Sequence, residues 1–429
     1  MTTLSLDNII ESMESRYEAS RPRSAELEIV ARRMIPGGTT RSILSFAPFP
    51  FRVERAFGSR LLDVDGHELV DFCGDYTAGL LGHNPEVVRD AIRGALERGW
   101  ALGATHALEI DAAQLVCERF PSIKSVRFTN SGTEANLLAI GTAVHHTGRN
   151  TVVAFRGGFH GSVLDFDANA GRERFDLKVP HKFIVSDFND IDGIRKAFAS
   201  NSVGCVIVEP MQGAGGCVPA TSDFLQVIRN LCDDAGAVLI FDEVMTSRLH
   251  PGGLQCQFGV VPDLTTLGKY LAGGLSFGAF GGRSELMAHF NNREGEQLRH
   301  SGTFNNNIFT MAAIIAVLRD YLTGDALLSN SDRGNRLREE LQRELASHSL
   351  PMSVTGMGSM LHVHAADKRW VHWLFHFLLA DGHYISPRGF VGLSFVVSDN
   401  DCAELVSSVR EWASRAAEMW HTVQLGMSQ

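Results

Sequence analysis

The sequence has few features that would direct it to a membrane, a nucleic acid or an oxidising compartment. Its seven cysteines include no C-x-x-C pair, which argues against a disulfide framework and a cysteine-based zinc site. Acidic residues outnumber basic ones by 49 to 39, and no basic block could neutralise a run of phosphates. No apolar run approaches the ~18 residues of a membrane span, and the N-terminus lacks the pattern of a signal peptide. We expect a cytosolic protein with buried thiols that binds neither nucleic acid nor membrane, and we predict no metal site.

No internal repeat or low-complexity linker marks a domain boundary, so hydrophobic periodicity must divide the 429 residues. After a polar N-terminal helix, residues 51–72 alternate in polarity and contain a D-G turn, which predicts a small antiparallel sheet. A capped helix is expected to begin in S-D-N-D-C-A-E-L-V, at 398–406. We expect an N-terminal segment of 1–75, a large domain of 76–315 and a small C-terminal domain of 316–429.

Between about residues 85 and 300, amphipathic helices alternate with short apolar strands. This alternation predicts an α/β fold, in which helices cover both faces of a mainly parallel sheet, and the terminal segments predict a smaller α+β domain. Ligands collect at the C-terminal ends of parallel strands, so reactive residues are expected there. The predicted helices include 86–98 and 223–234, and the predicted strands include 125–129, 151–155, 204–209 and 237–242.

A strand, a turn of small residues and a helix are predicted in S-V-R-F-T-N-S-G-T-E-A-N. In such a turn the amides of Ser131, Gly132 and Thr133 are free at the positive end of the helix, where a phosphate group binds. The same residues also make a good helix cap, so phosphate binding and simple capping both stay open.

Two other places put a charge in apolar surroundings. Asp242 and Glu243 end the strand A-V-L-I-F-D-E, where a carboxylate needs a ligand, a helix N-terminus or an ion-pair partner. Lys269 precedes the run L-A-G-G-L-S-F-G-A-F-G-G. A poorly solvated lysine loses affinity for its proton and can form a Schiff base with an aldehyde, although most single lysines lie at the surface.

Taken in order, these three features supply the contacts that pyridoxal 5'-phosphate requires. Its phosphate needs amides, its pyridinium nitrogen needs an anion and its aldehyde needs an amine. We therefore predict pyridoxal 5'-phosphate as the cofactor and Lys269 as its covalent anchor.

Further motifs extend along nearly the whole chain: R-R-M-I-P-G-G, L-L-G-H-N-P, F-T-N-S-G-T-E-A-N, G-F-H-G, V-E-P-M-Q-G, F-D-E-V-M-T-S-R, L-G-K-Y, S-G-T-F-N-N-N and S-P-R-G-F. In this order they resemble the fold-type I, class III pyridoxal-phosphate enzymes, the family of ω-aminotransferases and glutamate-1-semialdehyde aminomutase. The stretches T-R-S-I-L-S-F-A-P-F-P, D-Y-T-A-G and S-P-R-G-F-V are most similar to β-phenylalanine aminotransferases. The resemblance implies a large domain with a seven-stranded, mainly parallel sheet.

The resemblance also implies roles for the residues of the three motifs. Lys269 would carry the cofactor and move a proton between two carbons, and Asp242 would pair with the protonated ring nitrogen. The turn of Ser131, Gly132 and Thr133 would hold the phosphate. Thr303 of S-G-T-F would complete the phosphate pocket from a neighbouring subunit, which implies a homodimer with shared active sites.

Five more cofactor-binding residues follow from the resemblance. Val244 and Phe159 would lie on the two faces of the ring, with Met245 and His160 nearby and Glu209 behind the site. Simple core packing is the alternative for Val244 and Met245, and a structural role is the alternative for His160. The family usually has tyrosine at position 159, so the hydroxyl of that tyrosine and its hydrogen bond are missing here.

For the substrates, the resemblance assigns the carboxylate of a 2-oxo acid such as 2-oxoglutarate to Arg388, and that of a β-amino acid to Arg41. Tyr76, with Phe46 and Phe49, would line the position of an aromatic or apolar side group. The alternatives are solvated arginines and ordinary core packing. The expected reaction moves an amino group from the β-amino acid to the 2-oxo acid through a Schiff base on Lys269.

Two rival functions stay open at this point. A glutamate-1-semialdehyde 2,1-aminomutase shares the R-R-x-x-P-G-G opening and the phosphate turn, and would move the amine within one molecule. A non-catalytic regulator could keep the fold and the cofactor without turnover. The absence of a DNA-binding appendage and the presence of Lys269 and Asp242 argue against this second rival.

Overall fold

The structure of the chain, a computed structural model, describes residues 5–164, 166, 180–291, 293 and 298–427, the last seven for their backbone alone. Two compact units are found, one of residues 1–84 with 330–429 and one of residues 85–329. The sequence-based domain boundaries stay a prediction. Among the helices of the described residues, none combines the length and the apolarity needed to cross a bilayer.

The first unit opens with two helices and a three-stranded antiparallel meander. The hydroxyl of Ser5 accepts a hydrogen bond from the Asn8 amide at 3.2 Å, which starts the first helix. The D-G turn predicted within 51–72 lies between the second and third strands, where Gly66 has a φ of 92°. These elements are α1 (Leu6–Ser20), α2 (Pro22–Met34), β1 (Val53–Phe57), β2 (Arg60–Asp63) and β3 (Glu68–Asp71).

The unit of residues 85–329 contains eight helices and nine strands within its described residues. The strands and helices predicted within it are confirmed, each to within two residues. The helices are α3 (Glu86–Leu96), α4 (Ala107–Arg119), α5 (Gly132–Thr147), α6 (Ile191–Ser200), α7 (Ser222–Ala235), α8 (Leu254–Phe258), α9 (Ser284–Met287) and α10 (Ile308–Ala316). The strands are β4 (Ser125–Thr129), β5 (Thr151–Phe155), β6 (Lys182–Ser186), β7 (Val203–Val208), β8 (Met211–Gln212), β9 (Val218–Pro219), β10 (Val238–Asp242), β11 (Leu264–Gly268) and β12 (Gly278–Gly282).

Seven of these strands form one sheet in the order β4-β12-β11-β10-β7-β5-β6. Neighbouring strands are parallel except at β12, which runs antiparallel to both β4 and β11. Along β5, Val152 packs with Ala139 of α5, whereas Val153 packs on the other face with Ile228 of α7. Helices therefore cover both faces of the sheet, and the predicted α/β fold with a seven-stranded, mainly parallel sheet is confirmed.

The remaining elements follow α10 and a π-helical stretch at Val317–Tyr321. The last helix begins with a reciprocal cap, because the Ser398 hydroxyl accepts from the Asp401 amide at 3.1 Å and the Asp401 carboxylate accepts from the Ser398 amide at 2.8 Å. This confirms the capped helix expected at 398–406. The elements are α11 (Gly324–Ser347), β13 (Met352–Met357), β14 (Met360–Ala365), α12 (Arg369–Ala380), β15 (His383–Tyr384), β16 (Phe390–Gly392) and α13 (Asp399–Met427).

Two small sheets complete the first unit. Strand β15 adds to the N-terminal meander by pairing in parallel with β3, and β13, β14 and β16 form an antiparallel sheet. Helix α12 packs on α1 and α13. All seven cysteines are free thiols; five are buried and Cys117 is half-buried, but the expectation of burial is wrong for Cys256, which is exposed.

Two buried glutamates follow the central strands β7 and β10, and their surroundings differ. Both oxygens of Glu243 accept hydrogen bonds, from the Leu254 and Gln255 amides and from the Gln255 and Thr246 side chains, at 2.7–3.2 Å. Glu243 therefore caps α8, and an acceptor-only set of this kind suits a charged carboxylate. Glu209 accepts at one oxygen from Gly213 at 3.4 Å, while its Oε2 is buried without a partner among the described residues.

Burial raises the pKa of Glu209 well above its usual range, and the negative charge of Asp242 raises it further. Both effects favour the protonated form of Glu209. Because its folded-state pKa lies above its unfolded value, its contribution to stability is complete at acidic pH and is lost as the pH rises through the folded-state pKa.

The two glutamates should therefore respond differently to replacement by glutamine. Glu243→Gln places an amide donor against amide donors and should lower the free energy of unfolding by about 1–3 kcal/mol. Glu209→Gln should cost less than about 1 kcal/mol at neutral pH and should remove the loss of stability that wild type shows as the pH rises from the unfolded-state pKa to the raised folded-state pKa. Urea unfolding at acidic, neutral and alkaline pH measures both effects. Equal losses in the two variants at neutral pH would contradict this assignment of the protons.

Candidate active site

The candidate residues of the second unit lie where its parallel strands end. Lys269 follows β11 directly, Asp242 ends β10, Glu209 follows β7, and Ser131 lies two residues beyond β4. These four strands run in the same direction, because β12 reverses the direction between β4 and β11. Their C-terminal ends therefore share one edge of the sheet, which is where α/β proteins bind ligands.

Lys269 begins a short 3-10 turn, Lys269–Ala272, and is half-buried. Its backbone has a φ of 53°, in the left-handed region that side chains other than glycine rarely adopt. Such backbone strain is concentrated at functional sites and must be offset by the surrounding packing. The surrounding β11 residues are buried, as is Tyr270, so the lysine backbone is held on both sides.

The turn between β4 and α5 combines a helix cap with open amides. The Ser131 hydroxyl accepts from the Glu134 amide at 3.2 Å, and the Glu134 carboxylate accepts from the Asn130 amide at 3.0 Å. The amides of Gly132 and Thr133, at the first turn of the helix, have no acceptor within that helix. Capping and phosphate binding are therefore compatible here, since they use different groups.

Glycines allow the neighbouring segments to lie close to this turn, because they carry no side chain. A Cβ at Gly132 would lie 2.9 Å from both methyl groups of Val244, and one at Gly161 would lie 2.3 Å from the Thr133 hydroxyl oxygen. Val244 is buried against the turn, and Met245 packs against Gly213, where an added Cβ would lie within 2.5 Å of the sulfur. The structure thus brings Val244 to Gly132, and the 159–161 loop to Thr133.

Asp242 is buried and accepts hydrogen bonds at both carboxylate oxygens. The Val244 amide donates to Oδ1 at 3.0 Å, and the Asn136 amide nitrogen donates to Oδ2 at 2.7 Å. His160 Nδ1 lies 2.8 Å from the same Oδ2, where a carboxylate can only accept, so Nδ1 carries a proton. The described partners of Asp242 are all donors, which fixes the orientation of its carboxylate.

Asn136 is a member of this network that sequence reasoning missed. Its carbonyl accepts from the Thr266 hydroxyl at 2.6 Å, which fixes the amide group so that its nitrogen faces Asp242 and also the His160 carbonyl oxygen at 3.2 Å. Asn136 lies in α5, one turn beyond the phosphate turn, and it is buried. A buried asparagine inside a helix is the signal that could have identified it, because asparagine disfavours helix interiors.

Phe159 and Thr303 are both exposed in the described structure. Phe159 has 36% of its surface exposed, although His160 beside it is fully buried, so the phenyl ring is open to a ligand. The loop that contains Thr303 is held at both ends, since Arg127 contacts His300 at 2.9 Å and Asn130 donates to Asn305 at 2.9 Å. The structure does not bury Thr303 within its own chain.

These residues fit pyridoxal 5'-phosphate. The open amides of Gly132 and Thr133 match its phosphate, the fixed Asp242 carboxylate matches its ring nitrogen, and the exposed ring of Phe159 offers a stacking face. The Oε2 of Glu209, which has no hydrogen-bond partner in the described part of the chain, is a further polar atom at the same sheet edge.

The three predicted substrate-binding residues lie in the other unit. Arg41 pairs with Asp75 at 2.5 Å and its guanidinium lies 5.8 Å from the Tyr76 ring centre. The Tyr76 hydroxyl lies 3.1 Å from the Ser386 hydroxyl, which accepts from the Arg388 amide at 3.2 Å. The structure thus brings Arg41, Tyr76 and Arg388 together around Ser386 and Asp75, two residues that the sequence did not single out.

Phe46 and Phe49 make aromatic contacts within their own unit. Phe46 packs edge-on against Phe375 with ring centres 4.8 Å apart, and Phe49 packs against Tyr17 at 5.4 Å. These contacts agree with core packing, the alternative for these two side chains, and their place beside the substrate side group stays a prediction.

Known proteins resemble this chain along almost its whole length. The profile of the aminotransferase class-III family matches residues 45–412. A β-phenylalanine transaminase of Variovorax paradoxus is 43% identical over 424 residues, covering 95% of this chain and 96% of the relative. An uncharacterized aminotransferase of Schizosaccharomyces pombe is 39% identical and covers 94% and 95%.

Solved structures give the same result. The crystal structure of the β-phenylalanine aminotransferase from Variovorax paradoxus has a TM-score of 0.92 at 42% identity, covering 96% of this chain and 98% of that one. A glutamate-1-semialdehyde aminomutase from Pseudomonas aeruginosa has a TM-score of 0.86 at 25% identity, covering 95% and 97%. A transaminase with bound pyridoxal phosphate has a TM-score of 0.87 at 29% identity, covering 93% and 98%. The predicted cofactor and fold type are thereby confirmed, and the chain belongs to the class III aminotransferases, the fold-type I enzymes that use pyridoxal 5'-phosphate.

Proposed function

We propose that this aminotransferase moves the amino group of a β-amino acid with an aromatic or apolar side group to a 2-oxo acid such as 2-oxoglutarate. The observation that carries the proposal is the grouping of Arg41, Tyr76 and Arg388 around the hydroxyl of Ser386 and the carboxylate of Asp75. The β-phenylalanine transaminase that is 43% identical supports the choice of donor. Two arginines allow two carboxylates to be recognised at different positions.

In this proposal, the residues of the sheet edge hold the cofactor in a fixed position. The amides of Gly132 and Thr133 would donate hydrogen bonds to the phosphate, and the Asp242 carboxylate would keep a proton on the ring nitrogen. Asn136 and His160 keep the Asp242 carboxylate oriented. When bound, the cofactor supplies an electron sink for the carbon that loses its proton.

Lys269 has two tasks in the proposal: its Nζ anchors the cofactor and then moves the proton between the two reacting carbons. Phe159 would offer a stacking face without the hydroxyl that the family usually has, and Val244 would pack on the other side. Burial and the charge of Asp242 raise the pKa of Glu209, which favours a neutral carboxyl that adds no second negative charge beside Asp242. This keeps the Asp242 carboxylate available to the ring nitrogen.

The turn that carries Tyr76 is strained, which supports a role in binding. Asp75, Tyr76 and Thr77 have φ values of 44°, 51° and 83°, so three consecutive residues other than glycine are left-handed. Strain of this kind is typical of ligand-binding segments. Tyr76 is buried and stacks on Phe390 with ring centres 5.8 Å apart, so its hydroxyl is held next to Ser386.

The proposal includes a homodimer in which Thr303 completes the phosphate pocket of the neighbouring subunit. Thr303 is exposed, and its neighbour Phe304 has 66% of its surface exposed. Because His300 and Asn305 tie both ends of this loop to Arg127 and Asn130, the exposed residues are presented in a fixed conformation. A second chain is the partner that would cover such a loop.

The amino donor tests the proposed function directly. 3-Amino-3-phenylpropanoate with 2-oxoglutarate should give glutamate, measured by chromatography, at a far higher kcat/KM than phenylalanine, which carries its amine one carbon nearer the carboxylate. Lys269→Ala should reduce turnover by roughly 10²–10⁴-fold or more, as expected for loss of a proton-transfer group. Turnover of glutamate-1-semialdehyde without turnover of the β-amino acid would favour the aminomutase function instead.

Asp75 offers a test of the role of Arg41. Both side chains of this ion pair are about half exposed, at 47% and 50%, so Asp75 should compete with the substrate carboxylate for the guanidinium. Asp75→Asn should lower KM for the β-amino acid about 1.5- to 5-fold, the range expected for an exposed pair, and leave KM for 2-oxoglutarate unchanged. Asparagine tolerates the left-handed backbone at this position.

Steady-state kinetics with each substrate varied in turn would measure this effect. The matched variant is Arg41→Ala, which should raise KM for the β-amino acid much more than KM for 2-oxoglutarate. Equal changes for both substrates in either variant would show that Arg41 does not distinguish them.

A further inference from the structure

A cluster of metal-ligand side chains lies between α1 and α12 and includes none of the residues assigned above. Glu14 of α1 and the two histidines of α12, His372 and His376, each place one coordinating atom within 4.8 Å of the other two. His372 Nε2 lies 2.8 Å from Glu14 Oε1. His372 and His376 are four residues apart on one helix, so both project from the same face, the spacing that lets two imidazoles bind one ion.

The ring of His376 shows that this cluster is more than an ordinary ion pair. His376 is 2% exposed, and its Nε2 lies 3.0 Å from the carbonyl oxygen of Ala47. A carbonyl oxygen only accepts, so Nε2 carries the proton and Nδ1 carries a lone pair. Nδ1 is buried and has no hydrogen-bond partner among the described residues.

An unpartnered buried acceptor costs roughly 1–3 kcal/mol, so some group is expected to satisfy Nδ1. A hydrogen bond from one ring nitrogen to a backbone carbonyl is also the usual second contact of a histidine that binds a metal through its other nitrogen. The Ala47 carbonyl therefore fixes the tautomer that a metal ligand needs.

The surroundings of the cluster favour a bound cation over a bound water molecule. Tyr17 packs edge-on against His376 with ring centres 5.6 Å apart, and Phe375 lies at 5.1 Å. These aromatic walls lower the local dielectric and strengthen the attraction between a cation and the Glu14 carboxylate. The guanidinium of Arg21, which lies over the Tyr17 ring, is paired with Asp63 at 3.0 Å and so opposes a cation only weakly.

We propose that Glu14, His372 and His376 form a binding site for a divalent transition-metal ion, with zinc as the best fit, that fastens α1 to α12. Two imidazole nitrogens and one carboxylate oxygen are the set that zinc prefers, with water at its fourth position.

At zinc bond lengths of about 2.0–2.2 Å, tetrahedral ligand atoms lie roughly 3.3 Å apart. The 2.8 Å contact between His372 and Glu14 would therefore open by about half an ångström, and the proton between them would pass to the other ring nitrogen or to solvent.

Zinc binding to the purified holoenzyme tests the proposal. After treatment with a chelator and its removal, calorimetric titration with zinc chloride should show one ion bound per chain at this site. The melting temperature should rise with zinc concentration, because a ligand that binds the folded chain stabilises it by mass action. No zinc binding, or binding without a rise in melting temperature, would overturn the proposal.

His372→Gln separates a metal site from a simple hydrogen bond. Glutamine can still donate to Glu14 but lacks the imidazole ligand, so zinc affinity should fall by more than the roughly 10- to 100-fold that loss of an outer-shell partner costs. Glu14→Gln should also weaken zinc binding and provides a second variant should the first fail to fold. Turnover and melting temperature without zinc should stay near wild type in both.

The matched control is His348→Gln, which removes a histidine whose ring contacts Ser414 at 3.1 Å and lies outside the cluster. Zinc affinity should be unchanged in this variant. An unchanged zinc affinity in His372→Gln would overturn the proposal and would direct attention to His146 and His289, whose ring nitrogens are 3.0 Å apart in the other unit.

Discussion

The site depends on one buried negative charge, the carboxylate of Asp242 at the end of β10. A carboxylate in this position is costly to desolvate unless donors surround it, and Asn136, His160 and the Val244 amide supply those donors. Burial raises the pKa of Glu209 and the charge of Asp242 raises it further, which favours the protonated form of this neighbouring carboxyl. In the proposed site, Asp242 is then the fixed charge at the sheet edge with which the ring nitrogen of the cofactor would pair.

Close packing of the sheet positions the other groups around this charge. The glycine-rich run after Lys269 ends in the strand β12, and the glycines of this strand allow neighbouring backbones to approach. A Cβ at Gly278 would lie 2.1 Å from the Ser131 carbonyl oxygen, and one at Gly282 would lie equally close to that of Asp263. Because β12 fits between β4 and β11, the phosphate turn and the lysine are held at a fixed spacing.

The fold could be predicted because periodicity and local turn chemistry determine it. The strands that end at Thr129 and Asp242, and the cap at Ser398, depend on neighbours in sequence. Asp242 and Glu243 could not be told apart in the same way: one faces the site and the other caps α8, a difference set by residues 11 and 12 positions further along. Asn136 and Asp75 were missed because their roles arise from contacts with residues 106 and 34 positions away in the sequence. The exposed thiol of Cys256 shows that burial does not follow from residue type.

The most direct test of the account is the protonation state of the cofactor's ring nitrogen, measured by nitrogen-15 NMR on the enzyme loaded with ring-labelled pyridoxal 5'-phosphate. The account predicts a protonated pyridinium in wild type at neutral and mildly alkaline pH, and loss of that proton in Asp242→Asn. Asn136→Leu should lower the pH at which the ring nitrogen loses its proton, because Asp242 is then less firmly oriented. A neutral ring nitrogen in the wild-type enzyme would contradict the claim that a fixed, charged Asp242 organises the site.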